Sequence, residues 1–350
     1  MYVSGLATAV PPRSYTQSEC WEALERADRP ELDARTRAIL HGILTHDNGI
    51  ARRSLALDSL DEGFDLDPDT LHRRFVTHAP RLAAQAGARA LDDAGLQPAA
   101  IDAVVVSTCT GYLCPGLTSY VAEGLGLRTD VLALDLVGQG CGAALPNLRT
   151  AESLIGSGGA TAVLSICVEV CSAAMYLDPD LGVLVSACLF GDGAGAAVLT
   201  RAPGGRRRVR WIAGESATEP AHRDALRFEM RGGRLRNILT LPVPRLAGEY
   251  ARAVFDAAAA REGFDRAGIA AWVMHAGGKR VLQEVRAALD LGEPDLRHSA
   301  AVLREHGNLS SPFVLFVLDR ALREEAHGGL WWMSSFGAGF SCHGALLEVA

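Results

Sequence analysis

One spacing pattern occurs twice in the 350 residues of this chain and limits the possible folds more than any other feature. The first copy reads Gly95-x5-Ile101-x5-Ser107, and the second, 168 residues later, reads Gly263-x5-Ile269-x5-His275. In each copy an alanine-rich helical segment ends at the glycine, and a short turn leads into an apolar run. A repeat of this period predicts a duplicated α/β fold with two similar halves.

The same offset relates two polar positions that are flanked by glycine. Adding 168 to Cys141 gives position 309, which is next to Asn308. If the halves are equivalent, Cys141 and Asn308 begin corresponding helices and face one another across a pseudo-twofold axis. The repeat therefore predicts that the two residues share one site.

Cys141 lies between a predicted buried strand at 131–137 and a predicted helix at 143–155. At such a junction the thiol meets unpaired backbone N–H groups and the positive end of the helix dipole, so we expect its pKa to be lowered towards neutrality. Gly138, Gly140 and Gly142 leave room for a substrate near the backbone. The alternative is that Cys141 is a small buried apolar residue.

His275 ends the apolar strand of the second copy, where a histidine buried in the core is the alternative interpretation. A thiol, an imidazole and an amide together suit acyl transfer, because Cys141 can attack a thioester. As an imidazolium, His275 would stabilise the thiolate and, with Asn308, donate hydrogen bonds to an oxygen that becomes negative, such as the enolate oxygen left when a malonyl thioester loses carbon dioxide. A protease-type cysteine–histidine pair fits the same residues, so the spacing leaves the reaction open.

The composition restricts the class of protein. Apolar residues make up 49% of the chain and the net charge is −7, which favours a packed enzyme over a protein that binds nucleic acid or membrane surfaces. The arginines at 206–208 are interpreted as a solvated loop. We find neither a secretory signal pattern after Met1 nor an apolar run long enough to span a membrane. Eight cysteines without zinc-site spacing favour reduced thiols in a cytoplasmic protein and no metal site.

Periodicity and helix-breaking residues predict the remaining elements. Ser18 and Asp28 are candidate helix boundaries. Helices are predicted at 15–27, 32–44, 79–94 and 117–125, strands at 101–108, 160–168 and 194–199, an acidic loop at 58–69 and a connector at 202–208. The connector divides the chain into halves at 1–200 and 201–350.

Four motifs follow one another along the chain: Gly140-Cys-Gly, Leu189-Phe-Gly-Asp-Gly-Ala, His275-Ala-Gly-Gly and Gly307-Asn-Leu-Ser-Ser. In this order and spacing they resemble the type III polyketide synthases, the family of the chalcone and stilbene synthases. The similarity runs from about residue 80 to the last residue and is weaker before it. It implies a duplicated thiolase-like fold with α-β-α-β-α layers and two pseudo-twofold-related halves.

The resemblance also implies an acyltransferase that works as a homodimer on coenzyme A thioesters, without a cofactor. An acyl-CoA starter would be loaded onto Cys141, extended by repeated decarboxylative condensation with malonyl-CoA, and cyclised to an aromatic or pyrone product. By position, His275 and Asn308 match the family's decarboxylation and oxyanion pair.

Further positions match substrate-binding positions of the family. Phe190 matches a gatekeeping phenylalanine between the coenzyme A tunnel and the cavity, and a core aromatic residue is the alternative interpretation. Cys114 lies, before Pro115, where the family sends a residue into the partner's cavity. The other matching positions are Thr110, Glu169 and Ser310, which would line the cavity, and Gly277 and Gly278 in the histidine motif.

The chain departs from the plant members of the family at several positions. Arg236 aligns with a second gatekeeping phenylalanine, and Ala338 aligns with a proline near the cyclisation pocket. The plant enzymes' basic contacts to coenzyme A are replaced by Leu40, Ile43 and Asp47. Arg52 and Arg53 follow, and we expect other basic residues to bind the phosphates. These differences favour an aliphatic or malonyl starter over a coumaroyl starter.

Two other functions are compatible with this resemblance. A ketoacyl synthase of the type III class also uses cysteine, histidine and asparagine, and it condenses once with a unit on acyl carrier protein. It typically carries His-Gln-Ala-Asn where this chain has His275-Ala-Gly-Gly. A non-catalytic acyl-binding partner subunit is disfavoured, because the set of Cys141, His275 and Asn308 is complete.

Overall fold

The computed structural model describes residues 1–27, 29–30, 32–177, 180–204, 209–324 and 326–350. The predicted boundary at Asp28 and the arginines at 206–208 lie outside the described residues. The strands of the described chain are β1 (Tyr2–Ala9), β2 (Ser14–Thr16), β3 (Arg52–Ser54), β4 (Ala103–Thr108), β5 (Leu132–Val137), β6 (Ala162–Glu169), β7 (Gly193–Thr200), β8 (Val209–Thr218), β9 (Leu226–Arg231), β10 (Arg234–Leu239), β11 (Ile269–Met274), β12 (Gly329–Gly337) and β13 (Ser341–Val349). The α-helices are α1 (Gln17–Arg26), α2 (Ala34–Thr45), α3 (Pro68–Ala94), α4 (Leu117–Leu125), α5 (Ala144–Gly156), α6 (Leu181–Leu189), α7 (Val243–Glu262), α8 (Lys279–Ala288), α9 (Arg297–His306) and α10 (Phe313–Arg323).

The main sheet has nine strands in the order β11-β12-β13-β8-β1-β7-β6-β4-β5. Strands β8 and β1 are neighbours near the middle of this sheet. From each of them towards the edge of the sheet, the next two strand pairings are antiparallel and the third is parallel. On one side these pairings are β1–β7, β7–β6 and β6–β4, and on the other they are β8–β13, β13–β12 and β12–β11. The same order and direction on both sides confirm the duplication predicted from the repeat.

Helices α5 and α10 lie between the two groups of strands. Helix α5 packs against β4 and β6 of its own half and against β12 and β13 of the other half, while α10 contacts β1, β7, β11 and β12. Helix α3 covers β1, β6 and β7, and α7 covers β8, β12 and β13. These contacts confirm the α-β-α-β-α layers of a thiolase-like fold, and they place the beginnings of α5 and α10 at the centre of the molecule.

The glycines of the repeat end helices as predicted. Gly95 follows α3 with φ 66° and Gly263 follows α7 with φ 73°, left-handed conformations that glycine adopts without strain. The start of α3 was predicted too late. This helix begins at Pro68, after Asp67, whose side chain accepts a hydrogen bond from the Thr70 N–H, and it continues through Pro80.

Two further predictions are corrected by the structure. Helix α1 begins after Thr16 rather than at Ser18, because Thr16 and Glu19 form a reciprocal capping box. Strand β5 is not buried: it is the last strand of the main sheet, and Leu132 and Val137 are 46% and 60% exposed. An apolar strand looks the same in sequence whether its neighbour belongs to its own chain or to another molecule.

Within the described residues, no helix combines the length and apolar character needed to span a membrane. All eight cysteines are free thiols, and Cys114 is exposed. No group of three or more potential ligands among histidine, cysteine, aspartate and glutamate converges on a metal position in that part of the chain.

Candidate active site

Cys141 lies in a single 3-10 turn, Gly140–Gly142, between β5 and α5. Gly138 and Gly140 have φ values of 84° and 56°, so glycine is required for this turn. The turn packs against the end of β12 in the other half: a Cβ atom on Gly337 would lie 2.5 Å from the Gly142 nitrogen. Glycine at both 142 and 337 therefore allows the two halves to approach closely, and this close approach places the Cys141 thiol at the junction between them.

His275 follows β11 and is buried, with its N–H donating to the Ser334 carbonyl at 2.8 Å. Its ring meets Phe313 and Phe336 edge-on, with centroid distances of 5.1 and 4.9 Å. Both ring nitrogens are buried without a hydrogen-bond partner among the described residues. Because buried polar atoms are rarely unpaired, these two nitrogens are candidates for hydrogen bonds to a bound molecule.

Asn308 is buried in the turn between α9 and α10. Its carboxamide oxygen accepts from the Ser310 N–H at 2.9 Å, and its Nδ2 donates to the Gly277 carbonyl at 3.3 Å. These two bonds fix the orientation of the carboxamide. An amide nitrogen carries two N–H groups, so the second N–H is available to another acceptor.

Contacts across the junction bring Cys141, His275 and Asn308 to one place. The Ser310 hydroxyl donates to the Cys141 sulfur at 3.3 Å, and Ser310 is bonded to Asn308 as described above. Phe336 touches the His275 ring, and the next residue in β12 packs on the Cys141 turn. The structure thus brings together the three residues that the repeat relates.

Glu169 forms a buried polar cluster beside the thiol. Glu169 is the last residue of β6. Its carboxylate accepts hydrogen bonds from the Thr110 hydroxyl at 2.9 Å, the Cys109 N–H at 3.0 Å and the Ser310 hydroxyl at 3.4 Å. Burial raises the pKa of Glu169, and the hydrogen bonds from its neighbours oppose that rise. Three predicted cavity residues, Thr110, Glu169 and Ser310, therefore form one hydrogen-bonded unit next to Cys141.

The protonation states differ from those expected from sequence. Burial raises the pKa of the Cys141 thiol to about 12, against the opposing effect of the Ser310 hydroxyl that donates to it. Burial also lowers the pKa of His275 to about 3. Both shifts favour the neutral forms, because loss of solvation disfavours charge on the thiol and on the imidazole.

The raised pKa predicts how Cys141 responds to alkylation. Since only the thiolate reacts, its rate of reaction with iodoacetamide should rise by about tenfold per pH unit from pH 6 to pH 9 without a plateau. The measurement is site-resolved mass spectrometry of the Cys141 peptide, with the exposed Cys114 in the same digest as a reagent control. A plateau reached already near pH 6 would instead show a thiolate–imidazolium pair.

Two spaces adjoin the site. The first, called the inner cavity here, has a volume of about 20 Å³, which is room for about one water molecule. Its walls include Thr110, Phe190, Phe228, Asn237 and Ser310. The second, called the outer groove, has a volume of about 660 Å³ and reaches Gly138, Gly140 and Ala338 around the Cys141 turn. Thr110 and Phe228 line both spaces.

Arg236, which aligns with a second gatekeeping phenylalanine, lines neither the inner cavity nor the outer groove. In the β9–β10 pair, Asn237 is opposite Phe228 and both line the inner cavity, while Arg236 is opposite Glu229. Adjacent residues of a strand face opposite sides, so Arg236 points away from the cavity. It forms ion pairs with Glu229 at 2.9 Å and Asp180 at 3.0 Å.

Other predicted positions are distributed as follows. Phe190 lines the inner cavity, Gly277 holds Asn308, and Gly278 precedes α8. Arg53 is only 3% exposed and is engaged internally, so it is not available to phosphates. Cys114 is exposed.

Sequence reasoning missed three residues of the site region. Phe228 and Asn237 line the inner cavity, and the alternation of β10 is the signal that places Asn237 rather than Arg236 there. Cys109 donates through its sulfur to Glu169 at 3.3 Å and lines the outer groove. Its position directly after β4, in the same loop as Thr110, was the available signal.

Comparison with known proteins shows the family of the chain. Residues 66–215 match the family model for FAE1/type III polyketide synthase-like proteins, and residues 220–348 match the chalcone and stilbene synthase C-terminal domain. The chain is 33% identical to 1,3,6,8-tetrahydroxynaphthalene synthase of Streptomyces peucetius subsp. caesius, over 99% of this chain and 92% of that protein. It is 31% identical to 3,5-dihydroxyphenylacetyl-CoA synthase of Streptomyces toyocaensis, over 92% of this chain and 83% of that protein.

A solved structure shows the same fold over the full length. PKS-I from the brown alga Ectocarpus siliculosus superimposes with a TM-score of 0.91 at 25% identity, over 99% of this chain and 98% of that one. The resemblance derived from the four motifs is confirmed. This chain belongs to the type III polyketide synthase family and is an acyltransferase of that family.

Proposed function

We propose that this enzyme loads an acyl group from a coenzyme A thioester onto Cys141, extends it repeatedly with malonyl-CoA and cyclises the product. The convergence of the Cys141 thiol, the unpartnered imidazole of His275 and the fixed carboxamide of Asn308 supports this proposal most strongly. These side chains supply a nucleophile, a base and two hydrogen-bond donors. The reaction then needs no cofactor.

In the loading step, the Cys141 sulfur attacks the thioester carbonyl as His275 accepts the thiol proton. A neutral imidazole can do this because one ring nitrogen is an acceptor. The bond from the carbonyl carbon to the coenzyme A sulfur breaks, and the departing thiolate takes the proton from His275. The acyl group remains on Cys141, and the imidazole returns to its neutral form.

In the extension step, the bond between the methylene carbon and the carboxylate of malonyl-CoA breaks and carbon dioxide leaves. The electron pair forms an enolate, whose oxygen receives hydrogen bonds from a His275 ring N–H and the second N–H of Asn308. The enolate carbon attacks the acyl carbonyl on Cys141, and the carbon–sulfur bond breaks with its electron pair on the Cys141 sulfur, which leaves as a thiolate and takes a proton from water. The extended chain is then carried on coenzyme A and can be loaded again.

The space around the thiol supports chain growth. The inner cavity is too small for several added units, whereas the outer groove reaches the Cys141 turn and has about 660 Å³. We infer that intermediates occupy the outer groove as they lengthen.

Coenzyme A thioesters as substrates and eight free thiols favour action in the cytoplasm. We also propose that the chain divides into two thiolase-like halves, 1–200 with Cys141 and 201–350 with His275 and Asn308.

We also propose that the enzyme is a homodimer paired through the exposed edge of β5. This strand has one sheet neighbour, and an apolar edge strand pairs readily with another chain. Cys114 lies in the exposed loop after β4, the next strand of the sheet, where it can reach a partner subunit. The pairing would cover Leu132 and Val137.

A charge on this edge should separate the subunits. Leu132→Lys is expected to shift the enzyme from dimer to monomer in sedimentation velocity, because burying an unpaired lysine is unfavourable. Leu241→Lys is the matched control, since Leu241 is 76% exposed and is not part of β5. A Leu132→Lys protein that sediments like the wild type would contradict pairing through β5.

The proposed reaction is tested with radiolabelled malonyl-CoA and a panel of acyl-CoA starters, without acyl carrier protein. We expect products that contain two or more malonyl-derived units, identified by mass spectrometry. A single condensation, or no reaction until carrier protein is added, would instead assign the enzyme to the ketoacyl synthase type.

A further inference from the structure

The C-terminal end of α6 has carbonyl groups that its own helix cannot satisfy. The Leu189 carbonyl accepts from the Asn308 N–H at 2.8 Å, and the Cys188 carbonyl accepts from the Gln17 side chain at 2.9 Å. The carbonyls of Ala187 and Phe190 both accept from one nitrogen of Arg53, at 2.7 and 3.0 Å. A side chain from β3 therefore completes this helix end.

Arg53 is a buried cation with an unusual set of partners. Its side chain is 3% exposed, and its other contacts are the Gln17 side-chain oxygen at 3.1 Å and the Cys20 sulfur at 3.3 Å. All of its described partners are uncharged groups. A buried charge is costly unless it is compensated, and here the negative end of the α6 dipole provides the compensation.

The helix end held by Arg53 is joined directly to the turn that carries Asn308. Besides the bond from Asn308 to Leu189, the Gly191 N–H donates to the Asn308 carbonyl at 3.0 Å, so Phe190 and Asn308 pair like residues of adjacent strands. The hydrocarbon part of Arg53 also packs on Gly307. A Cβ atom there would lie 2.9 Å from Arg53 Cγ, and Gly307 has φ 72°.

We propose that Arg53 is a positioning residue for decarboxylation. By fixing the Ala187 and Phe190 carbonyls and packing on Gly307, it sets where the Asn308 carboxamide and the Phe190 side chain stand relative to Cys141. Arg53 does not touch the substrate. Its role rests on the proposed function of Asn308 as a donor to the enolate oxygen.

The test compares three variants of the full-length enzyme. Arg53→Met removes the donors and the charge, and Arg53→Lys keeps the charge with a shorter reach. Arg74→Met is the matched control, because Arg74 is also buried and also donates to two carbonyls, those of Ser172 and Glu62, at 2.7 Å. For each variant we would measure the melting temperature, malonyl-CoA decarboxylation, and acylation of Cys141.

Both methionine variants should melt at a lower temperature than the wild type. Below that temperature, Arg53→Met should reduce kcat for decarboxylation on the order of 10- to 100-fold, since small misplacements of a catalytic group have effects of this size. KM and the rate of Cys141 acylation should change by less than about threefold. Arg53→Lys should recover part of the lost kcat for decarboxylation, and Arg74→Met should retain the wild-type kcat.

Three results would overturn the proposal. Equal losses of decarboxylation in Arg53→Met and Arg74→Met would show that Arg53 only stabilises the fold and does not position Asn308. An unchanged kcat in a folded Arg53→Met enzyme would remove its role altogether. If Asn308→Ala decarboxylates malonyl-CoA normally, the proposed function of Asn308 fails first, independently of the Arg53 variants.

Discussion

Cys141→Ala should abolish chain extension while decarboxylation of malonyl-CoA remains measurable. Without the sulfur there is no atom to carry the acyl group, so we expect product formation to fall on the order of 10³-fold or more, below detection. In the proposed mechanism the donors to the enolate oxygen are His275 and Asn308. The rings that flank His275 and the hydrogen-bond partners that hold Asn308 all remain when the sulfur is removed. Decarboxylation should therefore fall much less than extension. Product mass spectrometry and carbon dioxide release measure the two steps separately.

Cys167→Ala is a suitable control for this experiment. Cys167 is a buried free thiol in β6, and burial raises its pKa, as it does for Cys141. We expect this variant to retain extension, although it loses some packing. If Cys141→Ala still forms polyketide product, the acyl group is not carried on Cys141 and the mechanism is wrong.

Asn308→Ala should impair decarboxylation itself. Removing one preorganised donor to a developing oxyanion typically costs about 10²- to 10³-fold in kcat, or about 3–4 kcal/mol of activation free energy. The change also leaves the Gly277 carbonyl and the Ser310 N–H without the partners described here. We expect carbon dioxide release from malonyl-CoA to fall by this factor, while Cys141 is still acylated by a starter.

Asn147→Ala is the matched control, because Asn147 is also fully buried and donates to the Ile166 carbonyl at 3.0 Å. That variant should lose stability and keep its decarboxylation rate per folded molecule. Equal decarboxylation losses in Asn308→Ala and Cys141→Ala would contradict the division of roles between the thiol and the carboxamide.

The repeat was visible in sequence because helix-ending glycines and apolar strands leave local signals. Gly95 and Gly263 end their helices in the left-handed conformation, and the strands that follow each pair in parallel with a corresponding strand, β4 with β6 and β11 with β12. That pattern was enough to relate Cys141 to Asn308. Their contact through Ser310 depends on close packing of glycines between the halves, which only the structure shows.

The remaining differences come from tertiary environment. The helix N-terminus near Cys141 favours a thiolate, but the raised pKa follows from burial, which the sequence does not reveal. Alignment places Arg236 at a gatekeeping position, whereas in the structure its neighbour Asn237 lines the inner cavity, because adjacent residues of a strand face opposite sides. Arg53 follows the positions of the missing basic contacts in the sequence, and only the structure shows that its side chain turns inward to α6.

The central claim is that Cys141 carries the growing acyl chain. It is tested most directly by incubating the enzyme with acyl-CoA starters, stopping the reaction with acid and measuring the intact mass, followed by peptide mapping. The mechanism predicts a mass increase equal to one acyl group, located on the Cys141 peptide and absent from Cys141→Ala. If no coenzyme A thioester leaves an acyl group on Cys141, or if the group is on another cysteine, the proposed function is contradicted.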